Sequence, residues 1–212
     1  MIVKITEDIL YYHAAKCGSR TILGWNALLV KPNLLHDHPE FFKESNKKEY
    51  GQIRTFMVKH DLSQPYWRSP EKVPKLEAKI RFCIIRDPVE RFISGYTNRV
   101  LYHKNLDNKE TISLDEFIEK YHTIVNTNMI IDVHFKPQCH FYGLKPEIFT
   151  HIFNMNQMDE IKNLIEQETG KQLPMLKLQQ SGDYAKPKIT QEQEKWIKDL
   201  YKQDYDVYSQ WM

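Results

Sequence analysis

Residues 79–86, KIRFCIIR, run with no intervening residue into 87–102, DPVERFISGYTNRVLY. The first stretch, apolar and rich in β-branched residues, is the strongest strand signal in the chain. The second opens as a helix should. Asp87 suits the N-cap, Pro88 the first helical position, and Glu90 completes a capping box. Val89, Phe92, Ile93, Tyr96 and Val100 then recur at helical spacing. A strand that turns directly into a helix is half of a strand–helix–strand crossover, which favours a parallel sheet. DILYYH (8–13) ahead of RTILGWNALLV (20–30) repeats the arrangement, with KPN closing that helix.

The rest of the chain follows the same alternation. RTFMVKH (54–60) and FTHIFNM (149–155) are expected as strands, PEFFKES (39–45) as a short helix, and DLSQPYWRSPEKVP (61–74) as loop. SLDEFIEKYH (113–122), MDEIKNLIEQETG (158–170) and TQEQEKWIKDLYKQDYDVYSQW (190–211) read as capped amphipathic helices, and HKNLDNKE (103–110) as a solvated turn. No repeat or low-complexity linker divides the 212 residues, so one domain spanning 1–212 is expected: a mostly parallel sheet with helices on both faces. Ligands of such sheets bind beyond the carboxyl ends of the strands.

Charge narrows the ligand. The net charge of +2 is too balanced for a nucleic-acid binder, so an anion would need a local cluster of cations. Three widely spaced cysteines, Cys17, Cys83 and Cys139, show neither a disulfide framework nor zinc spacing. They suit a reducing compartment. With no apolar signal-peptide core and no long apolar run, a cytoplasmic protein without a membrane span is expected.

Two strand-to-helix junctions carry the chemistry. In HAAKCGSRT (13–21), Lys16 supplies a charge, Gly18 permits close backbone approach, Ser19 and Thr21 supply hydroxyls, and no acid occurs between Asp8 and Asp37. A helix beginning near Ser19 would aim unpaired N–H groups and its positive dipole end at the loop. A basic turn capped by Ser19 fits these residues equally well, and the Walker A spacing is absent. At the second junction Asp87 and Glu90 make the helix end acidic, so Arg86 must hold any anion there, with Ser94 nearly two turns on. Pairing of Arg86 with Asp87 or Glu90 is the plainer alternative.

Together, KCGSRT and IIRDPVERFISGY resemble the two cofactor motifs of sulfotransferases that use 3′-phosphoadenosine 5′-phosphosulfate (PAPS). The R-D-P-x-x-R-x-x-S-x-Y string and the spacing of Arg86 to Ser94 match that family. The chain looks closest to the membrane-associated carbohydrate branch. DVHFKPQCHFYG (132–143) resembles that branch's H-[WF]-x-P segment, and KITQEQEKWIKDLYKQDYDVY (188–208) its closing helix. The resemblance implies a three-layer α/β/α sandwich of the P-loop-NTPase-like type. It implies a 5′-phosphosulfate loop at Lys16, Cys17, Gly18, Ser19, Arg20 and Thr21, and a 3′-phosphate site at Arg86 and Ser94. It also implies that adenosine 3′,5′-bisphosphate is the product.

In-line transfer to a hydroxyl then needs Lys16 at the leaving oxygen and a base at the sheet's carboxyl edge. His60, ending the 54–60 strand, is the expected base, with Asp61 able to orient it; His134 is the second candidate, better suited to contacting substrate. Cationic side chains can do the charge work, so no metal is expected. Direct transfer makes Cys17 a small loop residue rather than a nucleophile. Tyr66 and Trp67 could stack on a sugar ring or a planar small molecule, or simply pack over the core. The acceptor is expected to offer a free hydroxyl, on a glycan or a small natural product. A kinase on the same fold would need a Ser or Thr after the lysine, which Cys17 denies it. A binding module that lost its chemistry is the third reading.

Overall fold

In the computed structural model, residues 2–42, 63–64, 78–106, 110–176 and 186–212 are described. Five strands form one sheet: β1 (Ile2–Lys4), β2 (Ile9–Tyr12), β3 (Ser63–Gln64), β4 (Ile80–Ile85) and β5 (His151–Asn154), in the order β3-β1-β2-β4-β5. β2, β4 and β5 are parallel, with Tyr12 opposite Cys83 and Ile85 opposite Asn154. β1 and β3 add an antiparallel edge. Neither antiparallel strand was expected. β1 is a three-residue strand folded back on β2 through a tight turn in which the Ile5 N–H donates to the Ile9 carbonyl at 2.9 Å, and β3 is two residues inside an expected loop. Both are too short for an alternating pattern to show. The 54–60 strand lies outside the described residues.

The parallel strands explain their own composition. Ile9, Leu10, Tyr11 and Tyr12 are at most 6% exposed, and Phe82 to Ile85 are fully buried. Successive residues of a strand face opposite sides, so both faces of the sheet are covered. This is the α/β layering expected. The described helices are α1 (Ser19–Val30), α2 (Leu34–Asp37), α3 (Pro88–Tyr96), α4 (Leu114–Glu119), α5 (Tyr121–Thr127), α6 (Met129–Phe135), α7 (Gln138–Tyr142), α8 (Met158–Thr169), α9 (Gln191–Leu200) and α10 (Lys202–Tyr208); α1, α2, α7, α8 and α10 share the core of the sheet.

Three expected helices are broken: the one over 113–122 divides at Lys120 into α4 and α5. The single helix over 87–102 is α3 followed by a π-helical segment, Thr97–Tyr102, in which the His103 N–H reaches back five residues to Asn98. The closing helix breaks at Tyr201, whose ring is fully buried and whose hydroxyl donates to the Phe135 carbonyl at 2.6 Å. That anchorage outweighs continuation of the helix. At 39–45 only a 3₁₀ turn, Pro39–Phe42, is described.

An aromatic cluster of Phe92, Phe117, Tyr121, Phe135 and Tyr201 packs α3 against α4, α5, α6 and the α9–α10 break. It fixes the pitch of α3, and so of the side chains α3 presents at the sheet's carboxyl edge.

Candidate active site

The parallel register of β2 and β4 sets the loops that follow them side by side. The 13–18 loop is held in an unusual shape. Lys16 has φ +69 and Gly18 φ +70, both left-handed. For Lys16 such a conformation costs about 1–2 kcal/mol, so tertiary bonds must hold it. Those bonds are on the carbonyl side. The Ala14 carbonyl accepts from the Ser19 hydroxyl at 3.0 Å, Ala15 from Arg91 Nε at 3.0 Å, Lys16 from Arg86 Nη1 at 3.1 Å, and Cys17 from the Tyr11 hydroxyl at 3.2 Å. In a planar trans peptide the next N–H points the opposite way. The loop therefore turns its N–H groups away from four satisfied carbonyls.

The first helix starts without a side-chain cap. Gly18 is its N-cap residue, and its first turn holds no acid. Ser19 does not cap it, because its hydroxyl proton goes to Ala14, which removes the capped-turn alternative. Thr21 Oγ1 lies 3.5 Å from the Leu176 carbonyl. The loop and the first turn of α1 thus bring backbone N–H groups and the Lys16 and Arg20 charges to one place.

Burial, followed by the guanidinium charges of Arg99, Arg86 and Arg20, pushes the Lys16 ammonium down from 10.5 to about 7. Four cationic side chains gathered at one edge weaken each other's charge, and an anion among them would restore it.

At the second junction Asp87 caps α3, its Oδ1 accepting from the Glu90 N–H at 3.0 Å, with Pro88 in the first turn. Asp87 Oδ2 accepts from the Tyr205 hydroxyl at 3.0 Å. The expected capping box is not completed. Glu90 swings instead toward Arg86 Nε, at 3.5 Å, because a full charge outweighs a backbone N–H. Arg86 is thus shared between Glu90 and the Lys16 carbonyl. Ser94, one turn past Glu90 and Arg91 on α3, is 7% exposed.

His134 sits on α6. Its Nδ1–H donates to the Ile130 carbonyl at 2.7 Å, and its Nε2 accepts from Arg99 Nε at 2.9 Å. Burial, then the Arg99 charge, lowers it to about 3. The imidazole stays neutral with its free lone pair already used, which is the wrong state for a proton acceptor. Cys17 is fully buried, its thiol pushed up by burial and placed 3.4 Å from Gln138 Oε1. A thiol so held is not a nucleophile. His60, Tyr66 and Trp67 lie outside the described residues.

Two arginines were missed. Arg99 projects from the π-helical segment, and the available signal was its isolation: it is the sole charged residue in 92–102. Arg91 is fully buried, its guanidinium carbon 6.0 Å from the centre of the Tyr201 ring. Its Nη1 and Nη2 have no partner among the described residues.

Among the described residues, no group of three His, Cys, Asp or Glu side chains could hold a metal ion, and no helix is long and apolar enough to cross a membrane. A family model described as the sulfotransferase family matches residues 1–209. The chain belongs to the sulfotransferase family. As a sulfotransferase it is a transferase that delivers a sulfuryl group to an acceptor. No curated protein and no solved structure matches it. In this sulfotransferase the two motifs flank adjacent strand ends, β2 and β4.

Proposed function

We propose that the chain transfers the sulfuryl group of PAPS to a hydroxyl of a carbohydrate, releasing adenosine 3′,5′-bisphosphate. The observation that carries this reading is the Lys16 ammonium, held down at about 7 beside Arg99, Arg86 and Arg20 in a loop whose carbonyls are tied away. That is a site short of negative charge, and it suits a donor with phosphate at two ends.

PAPS supplies an activated sulfuryl group on a phosphate leaving group. Lys16 neutralises the charge that builds on the leaving oxygen. The backbone N–H groups of Cys17 to Arg20, with the Arg20 side chain and Thr21 beside them, hold the 5′-phosphate; Ser19 contributes its N–H, since its hydroxyl proton is committed, and the Thr21 N–H already donates to the Gly18 carbonyl at 3.1 Å. Arg86 and Ser94 hold the 3′-phosphate. His60 takes the acceptor proton, and Tyr66 and Trp67 stack on the acceptor ring. His134 serves the acceptor side by holding Arg99. The charge work falls to these cations, with no metal in the step. The three described cysteines are free and buried, in keeping with a cytoplasmic setting.

Two measurements test this. Calorimetric titration should give saturable binding of adenosine 3′,5′-bisphosphate, tighter than adenosine 5′-monophosphate; equal affinities would defeat the proposal. Labelled PAPS offered to a panel of glycans, steroids, phenols and alkaloids should label a glycan. His60→Ala should keep the bisphosphate bound and lose turnover.

A further inference from the structure

Gln138 opens α7 and is fully buried, yet it is an amide rather than an apolar residue. A buried amide is costly unless its polar atoms are bonded. Here they are bonded to the two loops of the site at once. Oε1 accepts from the backbone N–H of Arg86 at 3.0 Å and lies 3.4 Å from the Cys17 thiol. Nε2 donates to the backbone carbonyl of Arg86 at 2.8 Å. The side chain thus pairs with the main chain of Arg86 as a neighbouring strand would, one residue beyond the end of β4. Its own main chain is fixed from the far side. The N–H groups of Gln138 and Cys139 donate to the fully buried Asp204 carboxylate of α10, at 2.7 and 2.8 Å.

We infer that Gln138 is a positioning residue that sets the separation between the Lys16 turn and the Arg86 turn, and so the match to a ligand phosphorylated at both ends. It touches backbone and thiol, not the reacting atoms. The inference rests on the proposed donor, and the experiment separates the two. Affinities for adenosine 3′,5′-bisphosphate and adenosine 5′-monophosphate are measured by calorimetry in the wild type, Gln138→Ala and Gln138→Glu, with folding checked by circular dichroism. Glu keeps the acceptor oxygen but loses the donor to the Arg86 carbonyl.

The 5′-monophosphate engages one turn, the bisphosphate both. The ratio of the two affinities should therefore fall about tenfold in the folded variants, the scale for coupled neighbours, while monophosphate affinity changes little. A role confined to packing would lower both affinities alike or only the melting temperature, and either result overturns the inference. So does an unchanged ratio in a folded variant. Failure of both variants to fold also overturns it, marking Gln138 as a core residue. A wild type that binds the two ligands equally defeats the donor assignment itself and removes the basis for this one.

Discussion

Binding of adenosine 3′,5′-bisphosphate should draw a proton onto Lys16. In the free protein the ammonium titrates at about 7, so at pH 8 roughly one tenth of the molecules carry the charge. Phosphate oxygens beside Lys16 favour the charged form and return it toward its ordinary value of 10.5. The uptake expected is then about 0.9 proton per ligand at pH 8 and about 0.5 at pH 7. The ligand does not supply the signal, because its phosphates titrate near 6 and are already ionised at pH 8.

The assay is calorimetry in two buffers of different ionisation enthalpy, with Lys16→Met as the control. No uptake by the wild type at pH 8, or equal uptake by Lys16→Met, would refute the reasoning. The same group affects stability. Its folded value lies below its unfolded value, so the unfolded chain binds more protons between about pH 7 and 10.5. Lys16 is therefore a destabilising charge, fully so below pH 7 and relieved as pH rises through that window. Without ligand, Lys16→Met should raise the melting temperature at pH 6 and leave it nearly unchanged near pH 10.5.

Arg86→Ala should weaken the bisphosphate by roughly 1–3 kcal/mol, since it removes a charged partner and the bond to the Lys16 carbonyl; unchanged affinity in the same titration would count against the site. Gly18→Ala should cost about 1–2 kcal/mol of stability in urea melts, because a side chain at φ +70 is strained and its Cβ would sit 3.2 Å from the Met158 sulfur. His134→Gln should leave the shape of the pH–rate profile intact between pH 5 and 8, since the imidazole titrates near 3; a limb near 6.5 that vanishes in the variant would make His134 the base after all.

The sequence carried the frame of the site well, because its signals are local. KIRFCIIR against DPVERFISGY shows a strand, a cap and a helix within a short span, and KCGSRT shows small and basic residues at a turn. What it hid depends on distant partners. The left-handed Lys16 follows from carbonyl bonds to Arg86 and Arg91, some seventy residues away. Glu90 read both as a capping residue and as a partner for Arg86, and the fold decides for Arg86. Arg99 was hidden by a π-helical segment, which rotates the face a regular helix would present. His134 read as a candidate base since nothing in the string reveals that Arg99 occupies its lone pair.

The shape of the 13–18 loop is borrowed. Tyr11 belongs to the strand before it, Ser19 to the helix after it, Arg86 to the turn after a different strand, and Arg91 to a different helix. Grafting residues 13–21 onto another scaffold would therefore carry over the spelling without the geometry. Whoever wishes to transplant this anion cradle must move both halves of the fold together.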